Sequence, residues 1–255
     1  MIRTSVREIA ELVRALGAVE GDRILIHSAV FAFGLIEDGL AGLHRGIASV
    51  VGAEGTIIVP TFTWSFRRGE VFDIRNSPAA KSVGAYSEWL RNVPGSVRSA
   101  CPLFSMAALG PDASRLMART SSNCFGSGSV YERLFADDVL VLGLGITYST
   151  GISPFMHLER VAYVPYRQEL PLEGTSIDAT GRPYADRAVH FARDEVRFGG
   201  YRTDREAVGA RMEAAGVSAM VRRNGHSFIG LRAQPFEVFV LEELRRDPFA
   251  MLAVR

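Results

Sequence analysis

The sequence predicts an α/β fold, and two observations carry that prediction. Short, wholly apolar segments such as "RILI", "TIIV" and "VLVLGLG" recur between turn residues, as expected of strands covered on both faces. They alternate with stretches at helical spacing, and the strand–helix–strand order with short turns belongs to a layered α/β protein.

Taken in order, Val6, Ile9, Leu12, Val13 and Leu16 form one stripe, so residues 5–16 are expected to be an amphipathic helix. "GDRILIHSAV" reads as a turn and a buried strand, residues 40–51 as a helix closed by "GAEG", and "TIIVPTF" as a second buried strand. Residues 64–104 are rich in Arg, Ser and Pro, with a short helix at "VGAYSEWLRN". Such a long excursion usually carries function. "SMAALG" reads as a strand, "VYERLFA" as a helix and "DDVLVLGLG" as a further strand. Ser129 is placed to cap that helix, with Glu132 completing a capping box.

"PFMHLERVAYV" looks helical, with Pro165 limiting its length. Charge dominates residues 171–205, and "FARDEVRFGGYRTDRE" reads as a solvated strand or hairpin. A helix near 206–216, a strand at "HSFIGLRAQ" and a last helix at "PFEVFVLEELRRDP" follow. Without a repeat or linker, residues 1–255 read as one domain with 64–104 as a long excursion near its cleft.

Composition limits the function. Apolar residues make up 47% and the net charge is +1, so no global field recruits nucleic acid or anionic lipid. Cys101 and Cys124 are too few for a disulfide framework and lack metal spacing. They are expected as reduced thiols. With no apolar signal core or 18-residue apolar run, the expectation is a soluble, cytoplasmic protein, monomer or homodimer.

Three strand ends could carry chemistry. "HSAVFAFG" and "GLGITYST" supply small hydroxyl and glycine residues where backbone N–H groups can approach an anion. In "PTFTWSF", Thr61, Thr63 and Ser65 alternate with aromatics; the hydroxyls either line a site or satisfy backbone groups. Such ends suggest a cleft at one edge of the sheet.

None of the five histidines has the spacing of a zinc site. His157 is the leading base candidate because it follows a Gly-rich strand end and has carboxylates nearby. Glu159 could orient it only in an extended or distorted segment, because residues two apart on a helix do not face each other. Asp73, from the excursion, is an alternative partner.

Together, "LGAVEGDRILIHSAVFAFG", "GAEGTIIVPTFTWSF", "VFDIRNSP" with "VGAYSEWLRN", "RSACPLFSMAALGP", "CFGSGSVYERL", "VLVLGLG" and "HLERVAYVPYR" resemble, in order, the aminoglycoside 3-N-acetyltransferase family. The resemblance covers about residues 15–170. It implies a three-layer fold with a mixed central β-sheet flanked by helices. It also implies transfer of an acyl group from acetyl-coenzyme A to an amine of an aminosugar, with a histidine as general base and no metal.

By the same resemblance, His27, Ser28, Gly34, Thr61, Thr63, Ser105, Met106 and Ala107 hold the cofactor, and His157, Glu159 and Asp73 are the catalytic candidates. The family's His-x-x-Glu motif is displaced here: three residues before Glu159 stands Met156, and His157 falls one residue late. A noncatalytic ligand-binding or assembly protein of the same fold, a hydroxyl acceptor and a different acyl donor are the alternatives.

Overall fold

In the computed structural model, which describes residues 2–255, the chain builds a mixed central sheet between layers of helices. In chain order the main elements are α1 (Val6–Ala15), β1 (Arg23–Ser28), α2 (Gly39–Val51), β2 (Thr56–Pro60), α3 (Ala85–Arg91), β3 (Val97–Arg98) and β4 (Met106–Leu109). Then come α4 (Val130–Ala136), β5 (Leu140–Leu144), α5 (Pro154–Val161), β6 (Arg167–Ile177) and β7 (Pro183–Arg193). The chain continues through α6 (Glu206–Ala214), β8 (Ser218–Arg223), β9 (His226–Arg232) and α7 (Ala233–Arg246).

The sheet has seven strands in the order β8-β9-β5-β1-β2-β4-β3. β1 is parallel to both β2 and β5. The remaining pairs are antiparallel. The apolar runs of the sequence follow from this placement. Ile24 and Ile26 of β1 enter one buried cluster, and Leu25 enters the other. In β5, Leu140, Leu142 and Leu144 join the first cluster and Val141 the second. Strands covered on both faces need no polar alternation.

Local chemistry sets the helices that cover the sheet. α1 begins at a complete capping box, in which the Ser5 hydroxyl accepts from Glu8 N and the Glu8 carboxylate accepts from Ser5 N. Its Ile9 and Val13 share the first cluster with Leu43 and Ile47 of α2. On the opposite face, Tyr131, Phe155 and Phe236 come from α4, α5 and α7.

The Ser129 cap also forms, its hydroxyl accepting from Glu132 N. The Glu132 carboxylate, however, accepts from Gly128 N at 2.7 Å. The expected reciprocal bond is missing because Ser129 N already donates to Gly126 O.

The largest departure from the sequence reading is the charged region after residue 166. β6 and β7 form an antiparallel hairpin paired from Arg167↔Arg193 to Ile177↔Pro183, with the short strand Phe72–Asp73 parallel to its far end. The segment expected as a solvated strand or hairpin instead contains a short helix, Glu195–Phe198, followed by the strand Tyr201–Thr203. Among the described residues no helix is long and apolar enough to cross a membrane. Cys101 and Cys124 are free and buried, with their sulfurs 3.8 Å apart.

Candidate active site

The three mutually parallel strands end side by side, and their carboxyl ends open into a cleft of about 890 Å³. β1 contributes His27 and Ser28, the end of β2 contributes Pro60 and Phe62, and Gly145 and Ile146 follow β5. The excursion supplies Trp64 and residues 81–85. Its close approach depends on Gly84, which has φ +91°; a Cβ there would lie 2.5 Å from the Ser28 carbonyl oxygen. Only glycine accepts both that conformation and that contact. Gly145 is constrained likewise, with φ +76° and a Cβ position 2.3 Å from the Ala32 Cβ.

On this wall a hydroxyl joins two buried groups. Ser153, just before α5, places its Oγ 2.7 Å from His27 Nε2 and accepts from the Tyr131 hydroxyl at 2.7 Å. With Tyr131 donating, the serine proton is directed at His27 Nε2. His27 is therefore the neutral tautomer protonated at Nδ1, an atom buried without a partner. Burial pushes the His27 pKa down to about 3, and burial raises that of Tyr131. Ser28 Oγ is also buried without a partner and lines the cleft.

The second feature is cationic. Arg167, at the start of β6, and Arg205, just before α6, both line the cleft. Their Nη2 atoms meet the same oxygen of Glu159, at 2.9 and 3.3 Å, while the Tyr166 hydroxyl donates to the other oxygen at 2.9 Å. Glu159 is fully buried. Burial alone would raise its pKa, but the adjacent Arg167 and Arg205 charges hold it below the usual carboxylate value.

The expected catalytic set is not brought together. α5 is regular, so His157 and Glu159 point different ways. His157 does not line the cleft; it stacks on Phe135 at 4.8 Å between ring centres, and its Nδ1 accepts from Gly126 N at 3.1 Å. Its pKa falls to about 4, chiefly through burial. Met156, three residues before Glu159, is the α5 side chain that lines the cleft. Asp73 lies outside the cleft and folds back on its own turn, accepting from the N–H groups of Arg75 and Asn76 at 2.8 and 2.9 Å.

Of the expected cofactor residues, His27 and Ser28 line the cleft. Gly34 does not. It closes the turn after Phe33 by donating to Phe31 O. Thr61, Thr63 and Ser105 instead surround the buried Arg98 guanidinium, with contacts of 2.9–3.2 Å to their hydroxyls. Burial, with the charge of Arg91, brings the Arg98 pKa down to about 9. Met106 and Ala107 are core residues on opposite faces of β4. The sequence reading missed Ser153, Tyr131, Arg205 and Lys81 as site residues. The available signal for one of them was that Lys81 is the sole lysine among 29 basic residues.

A cleft at the carboxyl ends of parallel strands, walled by apolar groups and a few convergent polar ones, defines a small-molecule site of the open α/β type. The aminoglycoside 3-N-acetyltransferase family model matches residues 25–236, and the chain belongs to that family of acetyl-coenzyme A-dependent enzymes. It is 32% identical to aminoglycoside N(3)-acetyltransferase IV of Salmonella over 153 residues, 59% of this chain and 57% of that protein. The match thus spans somewhat over half of that relative. Aminoglycoside acetyltransferase AAC(3)-Xa superposes with a TM-score of 0.83 at 26% identity, covering 98% of this chain and 94% of that one. AAC-IIIb, in a binary complex with CoASH, superposes with a TM-score of 0.81 at 22% identity, covering 96% and 97%.

Proposed function

We propose that this chain is a coenzyme A-dependent N-acyltransferase, most simply an acetyltransferase, acting on a primary amine of an aminosugar or related small metabolite. The observation that carries the reading is the cleft itself, with the His27–Ser153 pair on its wall, in a chain of this family. The residues present fit the donor. Ser28 Oγ is a buried, unpaired hydrogen-bonding group beside the cleft, Phe62, Trp64 and Ile146 provide apolar wall, and Lys81 supplies a cation suited to phosphate. Acetyl-coenzyme A, when bound, supplies the acyl group as an activated thioester.

The acceptor amine must shed a proton to become nucleophilic. Ser153 Oγ then relays the proton, receiving it from the amine while passing its own to His27 Nε2, and Tyr131 holds the hydroxyl in position. Glu159 is paired with the two arginines and Tyr166 rather than with His157.

The reading is tested by calorimetry with coenzyme A and by thiol release from acetyl-coenzyme A with a panel of amines. Binding heat and amine-dependent thiol release are expected. If coenzyme A gives no heat, the reading fails. If coenzyme A binds but no amine releases thiol, the noncatalytic reading holds. That second reading is favoured by Met156, which lines the cleft three residues before Glu159 and cannot accept a proton.

A further inference from the structure

We propose that the acceptor carries an anionic group, a carboxylate or a phosphate, in the same molecule as its amine, and that Arg167 and Arg205 receive that group. The inference rests on the acyltransferase reading above and narrows its substrate class. It begins from a charge imbalance. Two guanidinium groups share one oxygen of a single carboxylate, Glu159, so the three groups together retain one positive charge at the cleft wall.

The arginines also have donors to spare. Arg205 is 5% exposed, yet the side-chain hydrogen bond found for it runs to Glu159, and its Nε is buried without a partner. Arg167 Nε is likewise unpaired, although Nη1 donates to the Phe191 carbonyl at 3.2 Å. Buried polar groups are bonded in the great majority of folded proteins. Unpaired donors on charged side chains that line a cleft therefore point to a ligand's acceptor atoms.

Geometry selects the chemistry. The Arg205 guanidinium lies over the Phe155 ring, 4.7 Å from its centre, which fixes the plane of a fork suited to carboxylate or phosphate oxygens. Arg193 adds a third guanidinium behind this wall, donating to Thr203 Oγ1 at 3.1 Å; Thr203 itself lines the cleft.

Among the described residues no carboxylate lines the cleft to receive the several ammonium groups of a polycationic acceptor. The neighbouring acids are engaged elsewhere. Glu159 is held by the arginines and Tyr166, Glu206 by Ser149 N at 2.8 Å, and Asp204 by Arg202 at 2.8 Å.

The test compares thiol release with four amines: glucosamine 6-phosphate, 2-amino-2-deoxyglucuronic acid, uncharged-ring glucosamine and polycationic gentamicin. Expected is a kcat/KM about tenfold or more higher for the two anionic sugars than for glucosamine, as one charge-assisted bidentate contact gives. The ratio between those two separates phosphate from carboxylate. In Arg205→Gln this preference disappears while the KM for acetyl-coenzyme A stays unchanged; in Arg205→Lys, which keeps the charge and loses the fork, part of it survives.

Equal or better turnover of glucosamine or gentamicin overturns the proposal and leaves the acyltransferase reading intact. A raised KM for acetyl-coenzyme A in the Arg205 variants, with acceptor KM unchanged, also overturns it, because the arginines then serve the donor's phosphates. If no amine releases thiol, the acyltransferase reading fails. Calorimetry with glucosamine 6-phosphate still decides the site: heat in the wild type that is lost in Arg205→Gln supports it, and no heat in the wild type, or heat unchanged in Arg205→Gln, overturns it.

Discussion

The imidazole of His27 and the hydroxyl of Ser153 meet at 2.7 Å across 126 positions of chain. The contact exists because β1 and β5 are adjacent and parallel, so the end of one faces the loop that leaves the other. Tyr131, from a helix on the flanking layer, completes the junction.

Ser153→Ala removes the atom that joins His27 and Tyr131 and leaves the buried Tyr131 hydroxyl unpaired, while His27 Nε2 keeps the backbone N–H of residue 153 at 3.3 Å. Such an orphan costs about 1–3 kcal/mol. Urea denaturation is expected to show a loss in that range. Amine acetylation is expected to fall about a hundredfold or more in kcat, the scale of general acid–base contributions. An unchanged kcat in a folded variant removes Ser153 from the proton path.

His157→Ala is predicted to behave in the opposite sense. The ring is packed on Phe135 and accepts a bond from Gly126 N, so its removal leaves a cavity and an unpaired N–H. A destabilisation of about 2–4 kcal/mol is expected, with kcat unchanged under conditions where the variant is folded. A collapse of kcat at full occupancy of the native state would restore His157 as the base.

Glu159→Gln leaves Arg167 and Arg205 without their shared counter-charge. Breaking a buried pair on one side costs about 3–5 kcal/mol. Tyr166→Phe, which deletes a single donor to the same carboxylate, is expected to cost about 1 kcal/mol. Chemical denaturation of the two variants side by side checks this order.

Acid is predicted to destabilise the fold well above the carboxylate range. His27 and His190 have pKa values pushed down to about 3, and His157 to about 4, from an ordinary 6.5, mainly by burial. Below 6.5 the unfolded chain binds protons that the native chain does not, so stability falls with falling pH and is level above that point. The loss approaches about 2 kcal/mol per histidine near pH 5. Urea midpoints measured between pH 8 and 5 are expected to be flat and then to drop; a flat profile throughout contradicts neutral burial of these rings.

Much of the architecture was legible because each central strand is apolar along its length and each covering helix has a stripe. α2, α4 and the three main strands of the apolar-run type lie within a few residues of where patterning put them. The hairpin β6/β7 was not legible. Six of the seven β6 residues at positions 167–173 are exposed or charged, so the period-two signal of a half-buried strand never develops.

The site divides in the same way. The sequence by itself determined the fold class, the family and the strand end "HS" that carries His27 and Ser28, because these depend on local pattern. Tertiary structure alone decided which hydroxyls face the cleft. Thr61, Thr63 and Ser105 turn to the buried Arg98, since an interior guanidinium must find acceptors, while Ser153 takes the cleft wall.

Tertiary structure also separated His157 from Glu159, placing the imidazole against Phe135 and the carboxylate under Arg167 and Arg205. The physical reason is that adjacency in a sequence fixes only the rotation around a helix. What each face meets is set by the elements that pack against it, and here those elements come from distant parts of the chain.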